Sequence, residues 1–537
     1  MDKVNNINIV LVGSNPLPCY VQAEYVMAPN RPVDEKNYLP VPDRQILIYT
    51  DNDDVVRYKN AIKHALCKSY ALKNGDNDLQ NSYKVAYAVE GKGKQAGRIY
   101  SWEAEIMQKP LYKEYQKRIV EIQLRNVSDA EQIIKTLQDK LPKLLGEDCR
   151  QITFNHTGGT KTMTTYATLC IRNLAALGKF YVTECYLDDA DKRLHCYTLN
   201  GTQKTFPQDS RLTDHVVLKI AEVAQLYGYK EFRSSIPYFI NDKLKDEVLS
   251  YAQEILKGTE GYEEYIELAT LLRYLNPKKV DSEPFTGFLV KDKKYSWEDT
   301  KKLLLMDEVD GKALQKIFQS TAYAWNDIVG DSNKRNKRRR GRTESEQEIA
   351  GVLEQHGHPA ANTYKNFMEK FSSIENCDKK IEFLTGKWLE AYVYLAVDQA
   401  IHQLCQRYPN SRKWCGADLE WSVSVRKEYQ NEDLKPFELD VVISIGYEIK
   451  IFTITIDDTQ GTQKLKYFEA LFRGEMISGS HSQVIGVSLV DKDPSKIRED
   501  LTSFNSRNYR DTKIWGKREV ADYEKLVERI TQLLEDC

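Results

Sequence analysis

At 537 residues the chain exceeds what one hydrophobic core organises, so roughly two to four domains are expected. Its 77 Lys and Arg nearly cancel its 79 Asp and Glu, and the formal charge of −2 excludes general polyanion binding, leaving any nucleic-acid contact to local patches. The ten cysteines show no Cys-x-x-Cys pair and no zinc-site spacing, and read as reduced structural thiols.

The N-terminus has no apolar signal core and no segment reaches the roughly 20 apolar residues of a membrane span, so a cytoplasmic protein without membrane contact is expected. In chain order, Asn8-Ile9-Val10-Leu11-Val12 is an apolar run ending in Gly13, and Gln45-Ile46-Leu47-Ile48-Tyr49 is another, followed by a helical stretch over 54–67. Residues 83–89 and 119–124 add strands, and 128–145 has the spacing of an amphipathic helix. Strand alternating with helix over some two hundred residues predicts a parallel, doubly wound sheet, whose ligands sit beyond the carboxyl ends of its strands.

The loop His156-Thr157-Gly158-Gly159-Thr160-Lys161-Thr162-Met163 lies on that rim, after the strand-like Gln151-Ile152-Thr153-Phe154. Met163, Tyr166, Ala167, Cys170, Ile171 and Leu174 then recur at helical spacing, so the loop opens a helix whose first amides lack intrahelical partners. Two glycines for backbone approach, three threonine hydroxyls, one lysine and a helix N-terminus are the parts of an anion cradle. The spacing matches neither a Walker A loop nor Gly-x-Gly-x-x-Gly, and a Gly-Gly turn that merely starts a helix remains the plain alternative.

From about residue 210 the pattern turns helical and polar, with a connector helix over 214–227. Residues 206–378 read as a helical middle region holding a basic, flexible segment at 333–345, a solvated linker ahead of a nucleic-acid arm. Strands return after residue 379: a helix over 383–398, strands at 421–425, 437–443, 447–454 and 483–490, and a terminal helix over 523–534 make a second α/β unit over 379–537.

Two features give this unit chemistry. Glu390 shares a helical stripe with Phe383, Gly386, Val393 and Val397, so an acid sits on a buried face and needs a partner or a metal. Asp440 followed by Glu448-x-Lys450 matches the Asp…(Asp/Glu)-x-Lys pattern of PD-(D/E)xK nucleases, in which two acids hold a divalent ion and a lysine serves the attacking water. An odd-numbered turn near Ser444 or Gly446 places Asp440, Glu448 and Lys450 on one face. A two-residue turn at Gly446-Tyr447 instead gives the face of Asp440 to Ile449, Ile451 and Thr453, and the pair is then an ordinary surface Glu and Lys.

Taken together, Gly13-Ser14-Asn15-Pro16-Leu17-Pro18 and Thr157-Gly158-Gly159-Thr160-Lys161 resemble a CARF domain, the CRISPR-associated Rossmann-like sensor of cyclic oligoadenylates. Residues 383–393, then Glu438-Leu439-Asp440-Val441 and Lys464-Leu465-Lys466-Tyr467-Phe468-Glu469-Ala470, resemble the nuclease half of the Card/Can ancillary nucleases of type III CRISPR systems. The resemblance implies a Rossmann-like CARF domain over 1–205, a helical middle region, and a restriction-endonuclease-like α/β domain over 379–537. It implies a homodimer through the CARF domains that binds a cyclic oligoadenylate, cyclic tetra-adenylate favoured, and then cuts DNA or RNA with Mg or Mn in antiviral defence.

Ser14, Asn15, Thr157, Gly158, Gly159, Thr160 and Lys161 match the ligand loops. Glu390, Asp440 and Glu448 are the expected metal ligands, and Asp440, Glu448 and Lys450 the expected catalytic residues. The alternative is a ligand-gated binding or assembly protein with a dead nuclease-like domain, and slow cleavage of the ligand by Thr157, Thr160 and Lys161 is a further expectation. The chain departs from relatives that place their Glu-x-Lys where it has Thr453-Ile454-Thr455.

Overall fold

The computed structural model describes residues 4–75, 87–90, 97–100, 104–126, 128–178, 180–235, 237, 239, 242–257, 288–290, 293–295, 354, 362, 365, 366, 369, 383–427, 437–456, 460–489, 497, 499, 500 and 513–536. The basic run at 334–342 and most of the expected helical middle region lie outside them.

Strand β1 (Asn6–Leu11) runs parallel to β2 (Arg44–Thr50). The chain next makes a hairpin of β3 (Tyr87–Glu90) and β4 (Gly97–Tyr100), then β5 (Ile119–Leu124), β6 (Gln151–Asn155), β7 (Tyr181–Asp188), β8 (Arg193–Thr198) and β9 (Gln203–Phe206). One sheet takes the order β5-β2-β1-β6-β7-β8-β9, parallel from β5 to β7 and antiparallel from there to β9. Strands are added outward from β1 through β2 to β5 and then, on the other side, from β6 to β7, so the order reverses between β1 and β6. That reversal is where an open α/β sheet holds its ligand.

Further along come β10 (Tyr229–Ser235), a separate hairpin of β11 (Phe288–Val290) with β12 (Lys293–Tyr295), β13 (Asp418–Lys427), β14 (Phe437–Ile445), β15 (Glu448–Thr455), β16 (Ser482–Ser488) and β17 (Lys513–Trp515). The second sheet has the order β17-β16-β15-β14-β13-β10-β4-β3. The fold is α/β, as the alternation predicted, but the sheets interleave along the chain. The strand expected at 83–89 begins at Tyr87 among the described residues and belongs to the second sheet, and β10, inside the expected helical region, joins that sheet too.

Three apolar clusters hold these layers. Helices Ala130–Leu145 and Lys161–Leu177 cover one face of the first sheet through Leu137, Leu141, Met163 and Ile171 against Ile9, Ile46 and Phe154. The second cluster joins helices Pro16–Met27, Asp53–Asn74 and Ile220–Leu226 to Val442, Ile449 and Ile451 of the second sheet, so the two units share one core. Every residue of Pro16–Met27 is buried, the polar Gln22 and Glu24 included. The third packs Trp388–Arg407 and Tyr523–Glu535 against Val441, Ile443 and Phe452.

Cys405 and Cys415 form a disulfide, correcting the expectation that all the thiols are reduced: the turn Arg412–Cys415 folds back on the end of Trp388–Arg407 and brings the Cα atoms to 5.0 Å. Among the described residues no helix is long and apolar enough to cross a membrane.

Candidate functional site

The loops after β1 and β6 emerge side by side, because Val10 pairs with Asn155. They touch through backbone: a Cβ on Gly13 would lie 1.8 Å from the Gly158 carbonyl oxygen, and one on Gly158 would lie 2.2 Å from Cys19 Sγ and 2.6 Å from the Leu11 carbonyl. The glycines are therefore demanded by the approach of two loops, whatever ligand lies above them.

Thr157 donates its N–H (3.0 Å) and its hydroxyl (2.7 Å) to Asn155 Oδ1, and its Oγ1 accepts from Leu187 N–H at 2.9 Å. Thr160 caps helix Lys161–Leu177 by accepting from Met163 N–H at 3.2 Å. Both hydroxyls thus shape the cradle, which tells against their orienting a ribose for cleavage. Ahead of the first intrahelical bond, Thr164 N–H to Thr160 O at 2.9 Å, stand the amides of Lys161 and Thr162, and the Lys161 and Ser14 side chains are exposed beside them.

Asn15 is tied elsewhere: its Oδ1 accepts from the Tyr227 hydroxyl at 2.5 Å. Below the cradle lies a buried amide network that the sequence reading missed. Asn8 donates to Gln45 (2.7 Å) and Gln22 (3.2 Å), and Asn155 donates to Gln22 (3.3 Å), linking three strands to the helix after β1 and ending on the oxygen that holds Thr157. Its signal was a polar amide at an inward position in each of three apolar runs.

In the second unit the hairpin register is settled. Ile445 pairs with Glu448 and Ile443 with Lys450 across the two-residue turn Gly446-Tyr447, where Gly446 takes φ 63°. Glu448 and Lys450 therefore have the parity opposite to Asp440. Glu448 also stands across from Ile445, five residues beyond Asp440 and roughly 16 Å along the strand. The structure does not bring Glu448 and Lys450 to Asp440.

Glu448, 9% exposed, pairs with Lys192 of the β7–β8 turn at 2.8 Å, and Lys450 donates to Gln483 at 2.9 Å. Burial pushes the Glu448 carboxyl up, but the Lys450 and Lys192 ammonium groups outweigh it and hold the carboxyl below its usual range. The pair belongs to the seam between the units.

Asp440 instead meets Glu390. The β14–β15 ladder stops at Val441 and Phe452, and beyond it the Ile454 N–H donates to Asp440 Oδ2 at 2.7 Å. The helix expected from 383 begins at Trp388, after a break at Gly386 with φ 156°, and Lys387 is its N-cap residue.

Lys387 Nζ donates to Glu390 Oε2 at 2.7 Å and lies 3.4 Å from both Glu438 Oε1 and Ser422 Oγ. Trp421 Nε1 donates to the same Glu390 oxygen at 3.1 Å. Ser422, a non-glycine residue at φ 53°, donates its hydroxyl to Glu438. Burial and the nearby Asp440 raise the Glu390 carboxyl to about 7, against the pull of Lys387. Burial also raises Asp440, opposed by Lys466, the Ile454 amide and Lys387. The Lys387 contact was not anticipated from the sequence, and its signal was a lysine three residues before the buried acid.

These donors do not make the expected metal centre. Glu448 and Lys450 are elsewhere, and a lysine already occupies Glu390. Among the described residues the side chains close enough to share an ion are Asp188, Asp191 and His195, where His195 Nε2 and Asp191 Oδ2 are 2.8 Å apart.

The chain is similar in fold to VC1899 from Vibrio cholerae. Identity is 13%, the match covers 99% of this chain and 98% of that one, and the TM-score is 0.50, a likeness of fold. Can2 from Sulfobacillus thermosulfidooxidans, solved in complex with cyclic tetra-adenylate, matches at 13% identity over 98% of this chain and 99% of that one, with TM-score 0.47. A type III CRISPR defence DNA nuclease activated by cyclic oligoadenylate matches at 11% identity over 91% of this chain and 47% of that one, with TM-score 0.36. No family model matches the chain, and no curated protein does.

Proposed function

We propose that this chain is a cyclic-oligoadenylate-gated effector of the type III CRISPR class, acting as a homodimer through its first unit, whose restriction-endonuclease-like unit engages DNA or RNA without a two-acid metal centre. The observation that carries the sensing half is the cradle at the strand-order reversal, where the Lys161 and Thr162 amides and the Lys161 ammonium stand together at a helix N-terminus. Asn15, bonded to Tyr227 of the connector, offers a route by which a filled cradle reaches the second unit.

Cyclic tetra-adenylate, the ring the sequence resemblance favours, is the probe. Isothermal titration of the full chain should show binding that Lys161→Ala weakens, while failure to bind cyclic tetra- or hexa-adenylate sinks the reading. With activator present, labelled DNA or RNA should shift on a native gel and remain uncut in Mg or Mn. A second reading, metal-dependent cleavage, has one observation in its favour: Lys387 bonds Glu390 and also reaches Glu438, two residues from Asp440 on β14. Cleavage that Asp440→Asn abolishes would establish it in place of the first.

A further inference from the structure

We infer that Lys387 is the resident cation of the acidic centre in the second unit, standing in for a divalent ion and closing the site to one. The inference rests on the reading of that unit as a nuclease-like domain without a metal centre, and is independent of the cradle.

Three carboxylates gather here: Glu390 from the helix, and Glu438 and Asp440 two residues apart on β14. Their repulsion in a partly buried place requires a counter-charge. The fold supplies one from within. The break at Gly386 lets the chain enter the helix with Lys387 at its N-cap, and three residues on, one turn along, Glu390 comes within reach of its ammonium. From there Nζ spans two acids, at 2.7 Å from Glu390 and 3.4 Å from Glu438. The Trp421 ring, with its centroid 5.6 Å away, adds a π face, and its N–H occupies the Glu390 oxygen that the ammonium also uses.

A divalent ion wants several oxygens with free lone pairs around one point. Here Glu390 Oε2 already accepts two hydrogen bonds, Asp440 Oδ2 accepts the Ile454 amide, and Glu438 Oε1 accepts from Ser422 and Lys387. An ammonium held by the chain itself competes at a local concentration far above that of a dissolved ion. It also does not dissociate.

Mn binding to the full chain, followed by electron paramagnetic resonance, tests this without any nuclease assay. Wild type and Asp440→Asn should bind Mn alike. Lys387→Met, whose side chain keeps the bulk of the lysine stem and removes the ammonium, should gain a site at least about tenfold tighter than any in wild type, and Lys387→Met/Asp440→Asn should lose it. Wild-type Mn binding that Asp440→Asn removes overturns the inference, as does a folded Lys387→Met that gains nothing. If Lys387→Met does not fold, the wild-type and Asp440→Asn pair decides alone. A cyclic tetra-adenylate titration run beside it reports on the sensing half only, so the two ideas fail separately.

Discussion

Glu448 with Lys450 and Lys192 at the seam, and Glu390 with Lys387 and Asp440 at the start of β14, are two acid–lysine groups on one sheet. At the seam the lysines hold Glu448 below its usual range, so the charges are a settled bond between the units. At the other end burial, and after it the charge of Asp440, lifts Glu390 to about 7. Crowded acids with perturbed protonation mark a place built for chemistry or descended from one, whereas a satisfied pair marks a joint.

The largest effect should come from the cradle's glycines. Gly158→Val forces a Cβ onto Cys19 and the Leu11 carbonyl and should cost about 3 kcal/mol or more, read as a fall in melting temperature with loss of ligand binding. An unshifted melting temperature would show that the loops can part.

Next, Glu448→Ala removes the acid that pairs with Lys192 at the seam and should cost about 3 kcal/mol in chemical denaturation. Because the folded carboxyl is depressed, its contribution is present above its unfolded value near ~4.3 and disappears as pH falls through the folded value, so Glu448→Gln and wild type should converge in acid. If the loss in Glu448→Ala falls on nucleic-acid cleavage with stability unchanged, the contrast between joint and centre breaks.

Glu390 has the opposite sign. A carboxyl raised when folded adds stability that is complete below about pH 4.3 and is lost as pH rises toward 7, so Glu390→Gln should gain on wild type between pH 5 and 8 by on the order of 1 kcal/mol. The smallest change in stability belongs to Lys161→Ala: an exposed side chain, no shift in melting temperature, and cyclic tetra-adenylate affinity down about tenfold.

The parallel strands of the first sheet were legible because apolar runs ending at Gly13 or before the 156–163 loop are local signals. Sheet membership was not: β3, β4 and β10 look like any short strand, and only pairing with β13 assigns them to the second unit. The acids of the second unit were legible too, but strand parity turns on one residue of turn length, and Gly446-Tyr447 set Glu448 and Lys450 at the parity opposite to Asp440. The two loops were legible as neighbours on the rim, while the hydrogen bonds among their residues were hidden. Thr157 and Thr160 could only be seen as scaffolding once Asn155, Leu187 and Met163 were in place.

The hairpin of β3 and β4, drawn from within the first two hundred residues yet serving as the outer strands of the second sheet, makes the two halves poor cassettes. A gene fusion cut near residue 205 would carry those strands away with the wrong partner and bare the backbone of β10 along the side where β4 lay. The two halves are joined by shared strands as well as by the chain that runs between them, so neither can be lifted out whole.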